Sequence, residues 1–198
     1  MPASAQVCGG VSVDSPKIDL TFAHAWEAEI LPARPLILPP RHFIYPRDVE
    51  EIERGALEVM VRPQATQPFL ATCALGFRDP AAASGVWAAP DPREICCASG
   101  GYVYMIDTTA PERFTFLALR PVLAVRAAAD AGLLLFVGHR TIVAWGREGQ
   151  QWESEKLSDE GVAVTAIDGW ILRGMGWSLM TDKETPLALD LRTGRHMA

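Results

Sequence analysis

Pro186-Leu187-Ala188-Leu189-Asp190-Leu191-Arg192-Thr193-Gly194-Arg195 combines an apolar run with an aspartate and a Thr-Gly pair, the pattern of a strand running into a tight turn. Looser versions of the phrase occur twice upstream. Ile95 to Gly101 is followed by Tyr102-Val103-Tyr104-Met105-Ile106-Asp107, a turn with Pro111, and Phe114-Thr115-Phe116-Leu117. Leu133 to Gly138 is followed by a turn at His139-Arg140, the strand Thr141 to Trp145, a turn at Arg147 to Gln150, and Gln151-Trp152-Glu153-Ser154. The third copy starts at Trp170 to Gly174, carries a longer insertion from Trp177 to Glu184 and ends in Leu187 to Asp190. No catalytic or cofactor constellation accompanies these repeats, so they speak to architecture first.

A short apolar stretch precedes each copy, at Gly85-Val86-Trp87, Pro121-Val122-Leu123 and Gly161-Val162-Ala163, which predicts four strands per unit. Asp107, Trp145 and Asp190 are separated by 38 and 45 residues, the period of a propeller blade rather than of a helical repeat. The expected fold is therefore all-β, a propeller-like array of four-stranded antiparallel blades, at least three of them recognisable.

Ala188-Leu189-Asp190-x-x-Thr193-Gly194, with the looser Ala144-Trp145-Gly146, Gly149 and Trp152, resembles the blade repeat of β-propellers of the pyrroloquinoline-quinone type. The resemblance implies that the Asp and Thr-Gly shape the turn after the third strand and that a Trp on the fourth strand packs between blades. Copy two has Gly146 in place of the Asp, copy one has Pro111 in place of the Gly, and Phe114 takes the place of the Trp. About half of the chain is covered. The calcium-binding acidic cluster of the quinone enzymes is not found in this sequence, so the resemblance does not extend to quinone binding.

Three blades alone would leave two apolar faces in water. Cover is sought in the N-terminal part, where Lys17 to Phe22 alternates and Ala56 to Val61 with Phe69 to Leu75 reads as a hairpin. Residues 1–16 are expected to form a tail and 17–198 one domain, with 17–84 a divergent β portion and 85–118, 119–157 and 158–198 the blade repeats. The segment Ile18 to Phe22 is expected to pair with copy three and close the ring. An open array capped by a second copy is the rival. Asp48 and Glu51 fit a capping box and Gly55 a helix stop, so one short helix is expected near 48–54. Prolines 32, 35, 39, 40 and 46 exclude the stretch Leu31 to Pro46 from any central strand.

The chain has 198 residues, 49% hydrophobic and 21% charged, with a formal charge of −6 and no basic cluster. Nucleic acid and anionic membranes are thereby disfavoured as partners. No apolar run approaches the ~20 residues that span a bilayer, and Met1 to Ser15 lacks a secretory pattern, so a cytoplasmic location is the expectation. Cys8, Cys73, Cys96 and Cys97 lack C-x-x-C spacing and read as reduced thiols. His24, His42, His139 and His196 lack partners at ligand spacing, so neither a metal, a cofactor nor a catalytic residue is assigned.

Function is expected on loops at one end of the array, at the turns Gly100-Gly101, Gly138-His139-Arg140 and Gly176-Trp177-Ser178, where His139, Arg140 and Trp177 offer an imidazole, a cation and an aromatic ring. The reading is a non-enzymatic binding module for another protein or a small polar ligand. The alternative is a hydrolase with a site assembled from blade loops, to which His139 and Asp182 would contribute.

Overall fold

The computed structural model describes residues 16–47 and 54–197, and they form four sheets stacked face to face. The expected helix at 48–54 lies outside the described residues except for Arg54.

The second sheet explains the stacking. Its strands β6 (Gly85–Ala88), β7 (Glu94–Ser99), β8 (Tyr102–Asp107) and β9 (Phe114–Phe116) pair in sequence order, and β1 (Lys17–Asp19) adds a parallel strand beside β6. Side chains alternate along a strand, so a sheet buried on both faces needs apolar residues at every position. Along β7, Ile95 and Cys97 enter one core while Cys96 and Ala98 enter the other, and all four have no exposure. The run Ile95-Cys96-Cys97-Ala98 lacks a polar face because it has no wet side.

The third sheet, β10 (Ala124–Ala128), β11 (Leu133–Val137), β12 (Ile142–Gly146) and β13 (Gly149–Glu153), repeats this logic. Leu134 and Phe136 pack toward the second sheet, and Leu133, Leu135 and Val137 toward the fourth. Each such side chain removed from water contributes about 1.5–3 kcal/mol before entropic costs, so these three interfaces are the main cohesive force of the array.

The fourth sheet holds β14 (Val162–Asp168), β15 (Ile171–Ser178), β16 (Lys183–Asp190) and β17 (Arg195–His196). Leu172, Leu187 and Leu189 face the third sheet, whereas Arg173, Glu184 and Pro186 are exposed on the other side. The expected outer strand of this unit was to come from Ile18 to Phe22. Instead β17 supplies it, and Ile18 pairs with Val86 at the inner edge of the second sheet.

The first sheet runs β2 (Trp26–Leu31), β4 (Ala56–Pro63), β5 (Phe69–Ala74) and β3 (His42–Tyr45) in space. β4 and β5 form the expected hairpin. The start of β2 is hydrogen-bonded beside the β6–β7 turn through Ala25 N to Pro92 O, 2.9 Å, and Trp26 Nε1 to Glu94 O, 3.1 Å. The chain leaving β5 bonds instead to the β7–β8 turn, Gly76 N to Ser99 O at 3.0 Å. Its inner strand thus runs opposite to β6, which is why no copy of the repeat is legible there. β3, inside the proline-rich stretch, is an outer strand parallel to β5, as prolines on either side allow only at an edge.

The Thr-Gly turn shows why the repeat phrase has its composition. Asp190 Oδ1 accepts the Arg192 N–H at 2.9 Å, and Gly194, at φ +69°, donates to Asp190 O at 2.8 Å. A Cβ on Gly194 would lie 2.5 Å from the Trp152 indole, whose Nε1–H donates to Leu191 O at 2.9 Å. The outer-strand tryptophan of the third sheet is locked onto a turn of the fourth. Tyr45 does the same one step earlier in the stack, donating to Pro111 O at 2.7 Å and lying edge-on to Phe114 at 4.9 Å.

Candidate functional site

Turns between the second and third strands of the last three sheets, and the connections entering each sheet, gather at one end of the array. Gly100-Gly101 packs against the connection into the third sheet, with Val122 N donating to Gly101 O at 2.9 Å. His139 and Arg140 lie in the β11–β12 turn, exposed, and their carbonyls accept from Gly161 N at 2.9 Å and Leu157 N at 2.8 Å. The 157–161 connection is itself fastened to Trp177. Ser158 Oγ accepts the Trp177 N–H at 2.8 Å, and Asp159 N donates to Trp177 O at 2.8 Å. One buried serine therefore ties the backbone of Trp177 to the segment that carries His139 and Arg140.

Trp177 is half-buried near the end of β15, not in a turn. The stretch Trp177 to Glu184, expected as an insertion, is the closing end of a long hairpin, since β15 and β16 pair without interruption from Ile171↔Asp190 to Ser178↔Lys183. Gly176 is not a turn residue: a Cβ on it would meet Leu157 O at 2.5 Å, so it is glycine to admit the neighbouring connection. The true turn is Leu179–Asp182, with Leu179 and Met180 exposed and Asp182 at φ +52°.

Electrostatics at this end centre on Asp159. Its carboxylate is held below the ordinary range by the Lys156 ammonium, by the Leu179 N–H at 2.8 Å and by the nearby Arg140 guanidinium. A 320 Å³ hollow beside Trp177 is bounded by Gly161, Ala163, Met175 and Glu184. Among the described residues the His139 ring makes no hydrogen bond to Asp182 or to any other carboxylate, and no group of three or more His, Cys, Asp and Glu is placed to hold a metal.

A larger cleft of 740 Å³ opens at the same end between the second and third sheets. Leu75, Phe77, Ala82, Trp87 and Val125 wall it, and Lys17, Arg78, Asp79 and Arg126 also line it. No motif announces it, because its lining comes from segments far apart in the chain that only the stacking of inner strands brings together.

Sequence reasoning also missed a polar chain on the far side of the first sheet. Arg34 Nε donates to Glu58 Oε1 at 2.8 Å, Thr72 Oγ1 donates to Glu58 Oε2 at 2.5 Å, and His42 Nε2 lies 2.8 Å from Thr72 Oγ1. A hydroxyl has one proton, and Thr72 gives it to the carboxylate, so His42 must be the donor in the third bond. Burial, then Arg34, pushes the His42 pKa down, in keeping with a neutral ring. Thr72 and Glu58 are buried, so the chain pins the 32–40 segment rather than reaching a substrate. The one signal in sequence was Glu58 between Leu57 and Val59, a carboxylate inside an otherwise apolar strand.

No family model matches the chain, and no curated protein does. Among solved structures, Citrobacter koseri AztD aligns over 72% of this chain and 43% of its own at 10% identity and a TM-score of 0.40. A streptogramin B lyase aligns over 67% and 51% at 10% identity and a TM-score of 0.38. The N-terminal domain of Nup159 aligns over 92% and 70% at 9% identity and a TM-score of 0.28. The chain spans about half the length of the first two.

Proposed function

We propose that the protein is a non-enzymatic binding module whose ligand, a protein segment or a small polar molecule, docks on the end of the array that carries His139, Arg140 and Trp177. The observation that carries this reading is the convergence just described: the β11–β12 turn, the 157–161 connection and the end of β15 are bonded into one surface around Ser158. Residues that a rigid scaffold brings together from distant loops are the usual place for recognition. Arg140 supplies a charge, His139 a donor or acceptor, and Trp177 a flat apolar surface with an N–H at its edge.

Thermal-shift titration against small polar probes, run beside turnover assays on ester, phosphate and glycoside substrates, tests the reading. A ligand that binds only the folded state at a hundredfold excess over its Kd stabilises by about 2.7 kcal/mol. The expected outcome is a melting shift for at least one probe class that is lost in Arg140→Ala or Trp177→Ala, without turnover. Turnover abolished by His139→Ala would instead establish the hydrolase alternative.

A further inference from the structure

Leu36, Ile37 and Leu38 are three consecutive large apolar residues in water, at 105%, 88% and 45% exposure. Single exposed leucines are ordinary on a protein surface, whereas a consecutive run is a liability unless something covers it. The run is held in place. Arg34 Nε donates to Glu58 Oε1 at 2.8 Å before it, and Arg41 donates to Gln67 O at 2.5 Å after it. Leu57, Val59 and Val61 of β4 face the second sheet, so Glu58 between them looks the other way, and the strap that Arg34 fastens to it lies on the outer face of the first sheet.

The opposite end of the stack has the matching shape. Leu172, Leu187 and Leu189 of the fourth sheet face the third, so the pairs Ala163↔Met175, Met175↔Pro186 and Trp177↔Glu184 lie on the face that no sheet covers among the described residues. The 320 Å³ hollow beside Trp177 opens there, with Ala163 and Met175 in its lining. Charge matches as well. The charged residues that line the hollow are Glu160 and Glu184, both exposed and neither in an ion pair among the described residues. From Ile30 to Arg47 the sequence carries Arg34, Arg41 and Arg47 and no carboxylate. Arg34 is paired with Glu58, whereas Arg41 and Arg47 donate to the main-chain carbonyls of Gln67 and Glu112 and keep their charge.

Two sheets lie between the tip and the hollow, so neither can reach its complement within one chain. We propose that a second copy supplies it: the Leu36-Ile37-Leu38 tip of one molecule seats in the hollow beside Trp177 of another, with the Arg41 end of the strap against Glu160 and Glu184. The assignment rests on the binding-module reading and names the partner as a protein segment carried by the same chain. The contact joins unlike surfaces, head to tail, so it closes into a ring of two copies or extends into a row. One loop tip in one hollow is a small interface, of the weak and dissociable class.

The test is analytical ultracentrifugation of the full chain from micromolar to near-millimolar concentration. The parent is expected to sediment as more than a monomer at the upper end of that range, and less so in high salt, which screens the arginines from the two glutamates. Ile37→Asn is expected to weaken association at least about tenfold by putting an unpaired amide where an aliphatic side chain was buried. Glu184→Lys is expected to weaken it about tenfold by turning attraction to Arg41 into repulsion. Both positions are exposed, and Leu36→Asn with Glu160→Lys is the second pair should either variant fail to fold. An equimolar mixture of Ile37→Asn and Glu184→Lys is expected to form mixed pairs at concentrations where each alone is monomeric, since the intact tip of one meets the intact hollow of the other. A parent that stays monomeric throughout, association untouched by both variants, or a mixture that stays monomeric, the mark of contact between like faces, overturns the proposal. If the chain is monomeric while a polar probe still shifts its melting through Arg140, the partner assignment falls and the binding-module reading stands. If neither effect appears, both fall.

Discussion

Replacing Gly176 with alanine places a methyl group 2.5 Å from the Leu157 carbonyl oxygen and 3.3 Å from Ser158 Cβ, where ordinary contact begins near 3.4 Å. Gly176 has no positive φ, so alanine costs nothing in backbone conformation, and reduced freedom of the unfolded chain favours the variant by about 0.4–1 kcal/mol. Against that stands an obstacle of main chain, which cannot rotate aside. The 157–161 connection must move by about 0.9 Å, an overpacking strain of about 1–3 kcal/mol. Moving it also stretches two bonds to the Trp177 main chain, the Trp177 N–H to Ser158 Oγ at 2.8 Å and the Asp159 N–H to Trp177 O at 2.8 Å. Each contributes about 0.5–1.5 kcal/mol.

The net expectation is a destabilisation of about 3 kcal/mol, which for a domain of this size lowers Tm by about 6–12 °C. Scanning calorimetry measures it. The double variant Gly176→Ala with Ser158→Ala should cost less than the sum of the two singles, because the first change already weakens the Trp177 N–H bond that the second removes. A Tm within about 2 °C of the parent would show that the connection yields freely, and the claim that this glycine exists to admit it would be wrong.

Thr72→Val leaves Glu58 Oε2 and the His42 Nε2–H without their shared partner in a buried site, so a loss of about 1–3 kcal/mol is expected in chemical denaturation, together with faster proteolysis within 32–40. Glu94 is partly buried and lies near Asp91 and Asp107, and burial raises its pKa despite the bond from Trp145. Its fold-dependent contribution is therefore fully present below the unfolded carboxylate range and lost as pH rises through the higher folded value. Glu94→Gln, which keeps an acceptor for Trp145, should raise Tm at pH 7 and show no gain at pH 3, by thermal melts across that window. Burial likewise raises the thiol pKa of Cys73 and Cys96, so in a Cys8→Ser background a thiol reagent should label Cys73, Cys96 and Cys97 only after denaturant is added.

The repeated units were legible because each is a sheet whose strands follow one another, bounded by residues with a local reason to turn: Asp107, Asp190 and Gly194 each act within a few residues of their own position. Phe114 packs between sheets, in the place that the resemblance assigns to a tryptophan. What stayed hidden depends on partners far away in sequence. Trp26-Glu27-Ala28-Glu29-Ile30 alternates, yet nothing near it in sequence names its partner β4, and β1 found a different edge from the one expected. Glycine carries two messages, a turn or a close approach, and Gly176 carries the second. For the site, the sequence pointed to the end of the array through the His139-Arg140 turn, yet the cleft of Trp87 belongs to no motif. Its lining has in common only a position beside the inner strands.

The cores follow one another in a line: first sheet to second, second to third, third to fourth. In such a series the middle members are held from both sides and the fourth sheet from one, so opening should start there. Amide protons of β15 and β16 should consequently exchange with deuterated water well before those of β7 and β8, though β15 and β16 are the longer strands. Persistence in this protein follows a strand's place in the queue rather than its length.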